Sequence, residues 1–320
     1  MTRKPSVCQE IEPALLATAI GDADTATAAR VEVHARTCAP CRQDLVRYRA
    51  IEDAVGAWRG APAPAEELAH ARLESRLAAL RRRTLLYRIF PSPLGPILIA
   101  RSEEGVSCVE YLTGGADFAH SRLSRDEGIE ALLDGADVEA LYRDLLEYVE
   151  GRRTRLEWPL DLRLARSEFH RTVLETTARI PYGAVRSYAG VARELGKPSA
   201  TRAVAQALRW NPLPIVVPCH RVIGASGALT GYAGNRVTLK QRLLAVEGVR
   251  TRPAHHDFRI ERDAMYACAG TDAEYCVPTC GSLAERSLAD LTLYASRARA
   301  EAAGLAPCTA CRPDLHPISR

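Results

Sequence analysis

One stretch of this 320-residue chain sets a nucleophile, a base and a cation side by side: Pro218-Cys219-His220-Arg221-Val222. A free thiol has a pKa of roughly 8.5 and is only a few per cent thiolate at neutral pH, so a reactive cysteine needs a base or a positive field beside it. His220 and Arg221 are candidates for both. The preceding run Leu213-Pro214-Ile215-Val216-Val217 is apolar, rich in β-branched residues and bounded by prolines. It predicts a short buried strand that delivers Cys219 to the edge of a cavity. A buried, inert cysteine beside a chance histidine is the competing reading of the pair alone.

Two further clusters carry metal-ligand chemistry. Near the start, Cys8 is followed by His34-x3-Cys38-x2-Cys41; near the end stand Cys276-x3-Cys280 and Cys308-x2-Cys311. Each gives four soft ligands at spacings suited to tetrahedral zinc, and the paired cysteines of the second set are the stronger signal. A free-thiol redox sensor is the alternative for the first. The stretch Met1 to Pro13 has no apolar signal-peptide core and no segment reaches the roughly 18 apolar residues that span a bilayer, so a cytoplasmic protein without membrane association is expected. In a reducing compartment the ten cysteines read as metal ligands and reactive thiols rather than disulfides.

The elements that must position these groups follow from periodicity. Residues 1–57 read as a small helical module, in which Leu45, Tyr48, Ile51, Val55 and Trp58 recur at helical spacing and predict a core stripe. Such a piece is too small to fold well without its metal. Ala61-Pro62-Ala63-Pro64 reads as a stiff linker and Ala65 to Arg83 as a polar helix. Strands are expected at Leu85–Phe90, Pro96–Arg101 and Val106–Leu112, and a helix over Leu141–Glu150. Ser167–Arg179 is helical; Tyr188–Leu195 and Ser199–Trp210 follow, separated by Gly196-Lys197-Pro198, in the pattern of a helix-turn-helix. Charge is unevenly spread: Asp161 to Arg252 holds 15 Lys/Arg against 5 Asp/Glu, although the whole chain is only +4. A basic segment around a nucleophile suits a phosphate-rich partner, with an ordinary solvated surface as the bland reading.

Ile180-Pro181-Tyr182-Gly183, Ser187-Tyr188, Thr201-Arg202-Ala203-Val204, the block from Asn211 to Gly224, Leu229-Thr230-Gly231-Tyr232 and Val246-Glu247-Gly248 occur in this order. Together they resemble the O6-alkylguanine-DNA alkyltransferase family over roughly residues 85–250. The resemblance implies a ribonuclease-H-like α/β half at 85–160 and a helical, winged-helix-like DNA-binding catalytic half at 161–250. It implies irreversible, single-turnover transfer of an alkyl group from O6-alkylguanine, and by extension O4-alkylthymine, in double-stranded DNA to Cys219, with no organic cofactor. The target oxygen lies inside the duplex, so the nucleotide must be flipped out. By resemblance Arg202 fills the vacated stack, Tyr188 crowds the phosphate and offers its hydroxyl to the base, and Ala203, with Ala205 and Ala207, lets the helix approach the minor groove. His220 acts as base through a water, Glu247 orients it and Asn211 braces the turn before the nucleophile. Tyr232 and the backbones of Val222 and Ala233 line the guanine pocket. Trp210 and a loop at Ala233–Leu239 depart from the family pattern.

The first 57 residues, including Gly21-Asp22-Ala23-Asp24, resemble an anti-sigma-factor zinc finger, which implies a sigma factor or other protein partner. Residues 251–320 resemble the metal-binding module of Ada-type proteins, where the thiolate matching Cys276 accepts a methyl group from a phosphotriester. Here Val277 replaces the family's arginine, and Glu261–Arg320 carries 6 arginines against 8 acidic residues, poor electrostatics for phosphate. A purely structural or regulatory metal knob is the competing reading of Cys276. The expected whole is an α/β multidomain alkyltransferase, with 58–84 as linker and helix, flanked by two small zinc modules. Two other functions compete: a damage-responsive regulator acting through the zinc modules, and a lesion-binding protein that repairs nothing, against which the presence of Cys219 argues.

Overall fold

A computed structural model describes residues 6–60, 64–112, 117–126, 128–133, 136–234, 236–254, 257–270 and 272–318. Of the linker expected at Ala61-Pro62-Ala63-Pro64, residues 61–63 lie outside them, and Pro64 already opens a helix. The chain forms two compact units, Met1–Ala79 and Leu80–Arg320. Among the described residues no helix is long and apolar enough to cross a membrane.

The first unit is built from α1 (Ser6–Ala19), α2 (Thr25–Thr37) and α3 (Ala39–Gly60), followed by α4 (Pro64–Arg83), which contains the boundary between the units. Asp24 caps α2 by accepting from the Thr27 amide at 2.7 Å. The core is small: Ile11, Leu15, Val31, Ala35 and Leu45, together with Cys8 and Cys41. The predicted stripe along α3 is shorter than expected. Leu45 is buried and Tyr48 partly so, but Ile51 is 59% exposed, because α3 outruns the helices that cover it.

The second unit opens with β1 (Thr84–Phe90), β2 (Ile97–Arg101) and β3 (Val106–Tyr111), the expected meander, joined by β4 (Glu130–Leu133) running parallel to β1. The sheet order is β3-β2-β1-β4. α5 (Ala136–Val149) lies against it and buries Val138, Leu145 and Tyr148.

The segment expected to be the catalytic half follows with α6 (Glu168–Ala178), β5 (Ala184–Ser187), α7 (Tyr188–Glu194), α8 (Thr201–Arg209), β6 (Val222–Ile223) and α9 (Val237–Val246). Ser167 and Ser187 cap α6 and α7 through their side-chain oxygens. α8 buries Val204, Ala207 and Leu208 and leaves Arg202, Ala203, Gln206 and Arg209 outside. That i, i+3, i+4 pattern makes α8 the outward helix of the helix-turn-helix. Ala207, expected on the groove-facing side, belongs to its core face.

The strand predicted over Leu213–Val217 does not form. The segment is a tight turn with a single bridge between Pro214 and Val217, closed by the Val217 amide on the Leu213 carbonyl at 2.8 Å. Proline at 212, 214 and 218 removes three backbone donors, so no ladder can run through it. Ile215 has φ 77°, a conformation rarely tolerated by a β-branched residue and found where surrounding structure imposes it.

The remaining chain forms β7 (Thr251–Ala254), β8 (Asp257–Ile260), β9 (Tyr266–Ala269), β10 (Glu274–Tyr275), β11 (Leu291–Tyr294), α10 (Arg297–Ala302) and β12 (Ala306–Pro307). It adds strands to the catalytic half: one four-stranded sheet runs β6-β5-β11-β9, with β11 antiparallel to β5. One apolar cluster accordingly joins Val185, Ile223, Leu244 and Val249 to Met265, Leu291, Leu293 and Cys308.

Gly183, at φ +74°, sits at this junction, its carbonyl accepting from the Ala295 amide at 2.7 Å. A Cβ there would stand 3.0 Å from the Glu247 carbonyl oxygen and from Arg299 Cγ. Gly183→Ala is expected to cost about 2 kcal/mol from the left-handed backbone and the crowding together, read as a lower midpoint in urea denaturation.

Candidate active site and metal centres

Asn211 organises the turn that replaces the predicted strand. Its Oδ1 accepts from the Leu213 amide at 2.9 Å, and its Nδ2 lies 2.9 Å from the Val217 carbonyl and 3.2 Å from Cys219 Sγ. One side chain therefore fixes the turn and donates to the Cys219 sulfur. Cys219 opens a single 3-10 turn, Cys219–Arg221, which buries His220 and Arg221 and runs straight into β6.

His220 Nε2 is 2.6 Å from Glu247 Oε1, and Arg221 Nε reaches the same carboxylate at 2.9 and 3.1 Å. The Tyr148 hydroxyl donates to Glu247 Oε1 at 2.5 Å and the Gly183 amide to Oε2 at 2.9 Å. Burial works against this carboxylate's charge, but His220 and the Arg221 guanidinium outweigh it and hold the Glu247 pKa at about 2. Burial lowers the His220 pKa, Glu247 offsetting only part of it, so the imidazole is neutral at neutral pH. Its Nδ1 is buried and has no hydrogen-bond partner among the described residues. Burial also raises the Cys219 thiol, opposed by the Asn211 hydrogen bond and by the charge of Lys240.

Cys219 lies in a cavity of about 750 Å3 whose lining includes Tyr188, Arg202, Gln206, Tyr232 and Ala233. The Tyr188 hydroxyl donates to the Thr230 carbonyl at 3.1 Å, and burial raises its pKa to about 12. Tyr232 stands 3.0 Å from the Tyr111 hydroxyl, and Ala233 has φ 40°. Arg202 and Ala203 are exposed on α8. Val222 is not part of the lining: it is buried, and its carbonyl accepts from Lys240 Nζ at 2.5 Å. Trp210 is half-buried under the Arg166 guanidinium, 3.7 Å from the ring centroid.

Several residues at this site were not singled out from sequence. Lys240 is fully buried, donates to the Val222 and Thr230 carbonyls, and has its pKa lowered by burial to about 8. Its signal was a lysine on the apolar face of α9, one turn before Leu243 and Leu244. Tyr148 and Tyr111 had no such signal.

The metal clusters also assemble. In each set, Cys8-His34-Cys38-Cys41 and Cys276-Cys280-Cys308-Cys311, the four ligand atoms lie within 4.8 Å of one another. Cys8 Sγ is 3.7 Å from Cys38 Sγ and 3.8 Å from His34 Nε2, and a zinc tetrahedron with Zn–S of about 2.3 Å has edges of about 3.8 Å. The donor sets fit zinc, and all ten cysteines are free of disulfides. Cys276 pairs its main chain with Ala267 of β9, so the second cluster is tied to the sheet that carries β6.

Fold and site together define a thiol nucleophile backed by a histidine-carboxylate pair and mounted beside a helix-turn-helix. Residues 168–249 match the family described as 6-O-methylguanine DNA methyltransferase, DNA binding domain, and residues 254–314 match the metal binding domain of Ada. Two curated relatives bear the name methylated-DNA--protein-cysteine methyltransferase. That of Methanosarcina acetivorans is 38% identical over 166 residues, 51% of this chain and 99% of its own length. The constitutive one of Bacillus subtilis is 47% identical over 165 residues, 51% of this chain and 95% of its own. A crystal structure of Mycobacterium tuberculosis O6-methylguanine methyltransferase aligns at 36% identity and a TM-score of 0.44, over 53% of this chain and 96% of that one. The chain belongs to the methylated-DNA--protein-cysteine methyltransferase family.

Two outcomes follow from this geometry. The Glu247 pKa lies below its ordinary 4.5 in the folded protein, so its contribution to stability is complete above about pH 5 and is lost as pH falls towards 2. Urea unfolding should therefore place Glu247→Gln about 3 kcal/mol below wild type at neutral pH, with the gap closing on acidification. Metal analysis is expected to find two zinc ions per chain. Chelation should lower the melting temperature of the second unit by several degrees, because Cys276, Cys280 and Cys308 belong to its apolar core.

Proposed function

We infer that this protein repairs alkylated DNA directly, moving a methyl or larger alkyl group from O6-alkylguanine in double-stranded DNA to Cys219 in a single, irreversible event. The observation that carries this reading is Cys219 Sγ, held 3.2 Å from Asn211 Nδ2 in a cavity of about 750 Å3, beside a buried His220–Glu247 pair at 2.6 Å. Neutral His220 takes the thiol proton at Nδ1 through a bridging water, and Glu247 stabilises the imidazolium that forms. The thiolate attacks the alkyl carbon, the S–C bond forms as the O6–C bond breaks, and guanine leaves. Asn211 and the Lys240 charge favour the thiolate. Tyr188 keeps its proton and so is a donor to the departing base. A thioether is not a leaving group at neutral pH, so each molecule acts once.

Base access follows from the same surface. α8 presents Arg202 and Ala203 to the duplex beside the cavity mouth, and Arg202 takes the place of the extruded nucleotide. Tyr232 and Ala233 hold the flipped guanine over Cys219. The order β3-β2-β1-β4, antiparallel except for its last pair, supports a ribonuclease-H-like reading of 85–160, and the strands beside the helix-turn-helix support a winged-helix-like one for 161–250.

Both metal sites are read as structural zinc. Cys276 is only 6% exposed and its main chain is bridged to β9, which favours the structural role over service as a second methyl acceptor. The N-terminal unit carries exposed Val7, Leu16, Ile20, Val33, Val46 and Ile51, which supports its reading as a protein-binding finger for a sigma factor or another partner, in a cytoplasmic protein.

Intact and peptide mass spectrometry after incubation with duplex DNA carrying O6-methylguanine tests the main reading. The Cys219 peptide should gain the mass of one methylene and the same peptide of Cys219→Ser none. DNA binding without any mass gain would sink it.

A further inference from the structure

Beside the alkyl pocket lies a second cavity, of about 570 Å3, that the transfer chemistry does not use. Its lining includes Ser226 and Gly227 at the hairpin tip after β6, Arg252 of β7, Arg259 of β8 and Arg262. Among the described residues none of these three arginines makes an ion pair or a side-chain hydrogen bond, and the buried Nε of Arg259 has no partner at all. Glu261 and Asp263 share the rim without pairing to them. Arg259 thus lines the cavity with its hydrogen-bonding capacity incomplete, and the geometry of a guanidinium matches phosphate.

The framework behind these arginines is rigid. The Leu229 amide donates to the Phe258 carbonyl at 2.9 Å and the Ile260 amide to the Gly227 carbonyl at 3.0 Å, so β8 is stitched to the hairpin. Gly227, at φ +84°, allows this approach, since a Cβ would stand 3.1 Å from Ile260 Cγ1.

The cavity also lies next to the mouth through which DNA reaches Cys219. Gly227 is three residues from Thr230, which lines the alkyl pocket, and three residues span at most about 10 Å. By a second route, Leu288 lines this cavity and its carbonyl accepts from Ser187 Oγ at 3.3 Å, one residue before Tyr188 of the alkyl pocket. A duplex seated on that mouth, with a charge every ~1.7 Å of helix axis, brings backbone phosphates within reach of the arginines.

We propose that this arginine-lined cavity is a backbone-phosphate subsite for the DNA that engages Cys219, built jointly by the catalytic half and the segment after it. It rests on the DNA-repair reading above and extends the footprint beyond α8, to residues on the segment matching the Ada metal-binding domain.

The test is the salt dependence of duplex binding by the full chain, measured by fluorescence anisotropy, beside the rate of Cys219 alkylation by free O6-benzylguanine. For Arg252→Gln/Arg259→Gln/Arg262→Gln the slope of log affinity against log salt should fall by about 2 to 3, at ~0.9 per phosphate, with the free-base rate unchanged. If loss of the half-buried Arg259 disturbs folding and lowers the free-base rate, Arg252→Gln/Arg262→Gln alters only exposed side chains and should lower the slope by about 1 to 2. Glu261→Gln/Asp263→Asn should strengthen binding. An unchanged slope in the double arginine variant overturns the subsite. A wild-type chain that neither binds duplex nor accepts an alkyl group from it defeats instead the repair reading on which the subsite rests.

Discussion

The second unit depends on one buried carboxylate. Glu247 is 1% exposed and is held from four directions, by His220, by Arg221, by the Tyr148 hydroxyl and by the Gly183 amide. A lone carboxylate at that depth would be strongly disfavoured; with a permanent cation and three further donors it stays ionised. Its partners come from α5, from the turn before β5 and from the nucleophile's own turn, so the α/β half and the catalytic half meet on one charge. The same contact that makes the core possible orients the imidazole behind Cys219.

The segment after the catalytic half shares this construction. β11 pairs with β5, the Ala295 amide binds the Gly183 carbonyl, and Arg299 lies 4.4 Å over the Tyr182 ring, whose hydroxyl donates to the Val246 carbonyl. Gly183, which donates to Glu247, and Val246, which precedes it, are thereby braced from the C-terminal side. The metal ligands Cys276, Cys280 and Cys308 sit within the apolar cluster that contains Val185 and Ile223 of the catalytic sheet. A metal held by these three and Cys311 would fix the loops that carry them. The first unit has the same economy on a smaller scale, with the Cys8, His34, Cys38 and Cys41 donor atoms gathered where three helices meet around a core of a few aliphatic residues.

Much of the site was legible because covalent chemistry restricts residue type. Cys219 with His220, and the two four-ligand sets, are recognisable at close spacing; helix starts at Ser167 and Ser187 follow from capping side chains acting within one turn. Legibility failed where the answer depended on distant partners. The apolar run at Leu213–Val217 has strand composition, yet three missing amide donors and the Asn211 side chain turn it into a loop. Ile51 keeps the helical period of a core residue, but it is 59% exposed. Lys240 and Tyr148 acquire their roles only from the groups that face them.

By itself, then, the sequence marked the Cys219-His220 pair, the two Cys/His sets and the order of helices, because each rests on chemistry or hydrogen bonding confined to a few neighbouring residues. Only the tertiary structure decided that Tyr148, Arg221 and the Gly183 amide share the Glu247 carboxylate with His220, that a buried lysine stands close enough to bias the thiol, and that β9 and β11 extend the sheet of β5 and β6. Those outcomes rest on contacts between residues far apart in the chain, such as Tyr148 with Glu247 and Gly183 with Ala295. Burial gives such contacts their strength, and no local pattern encodes it.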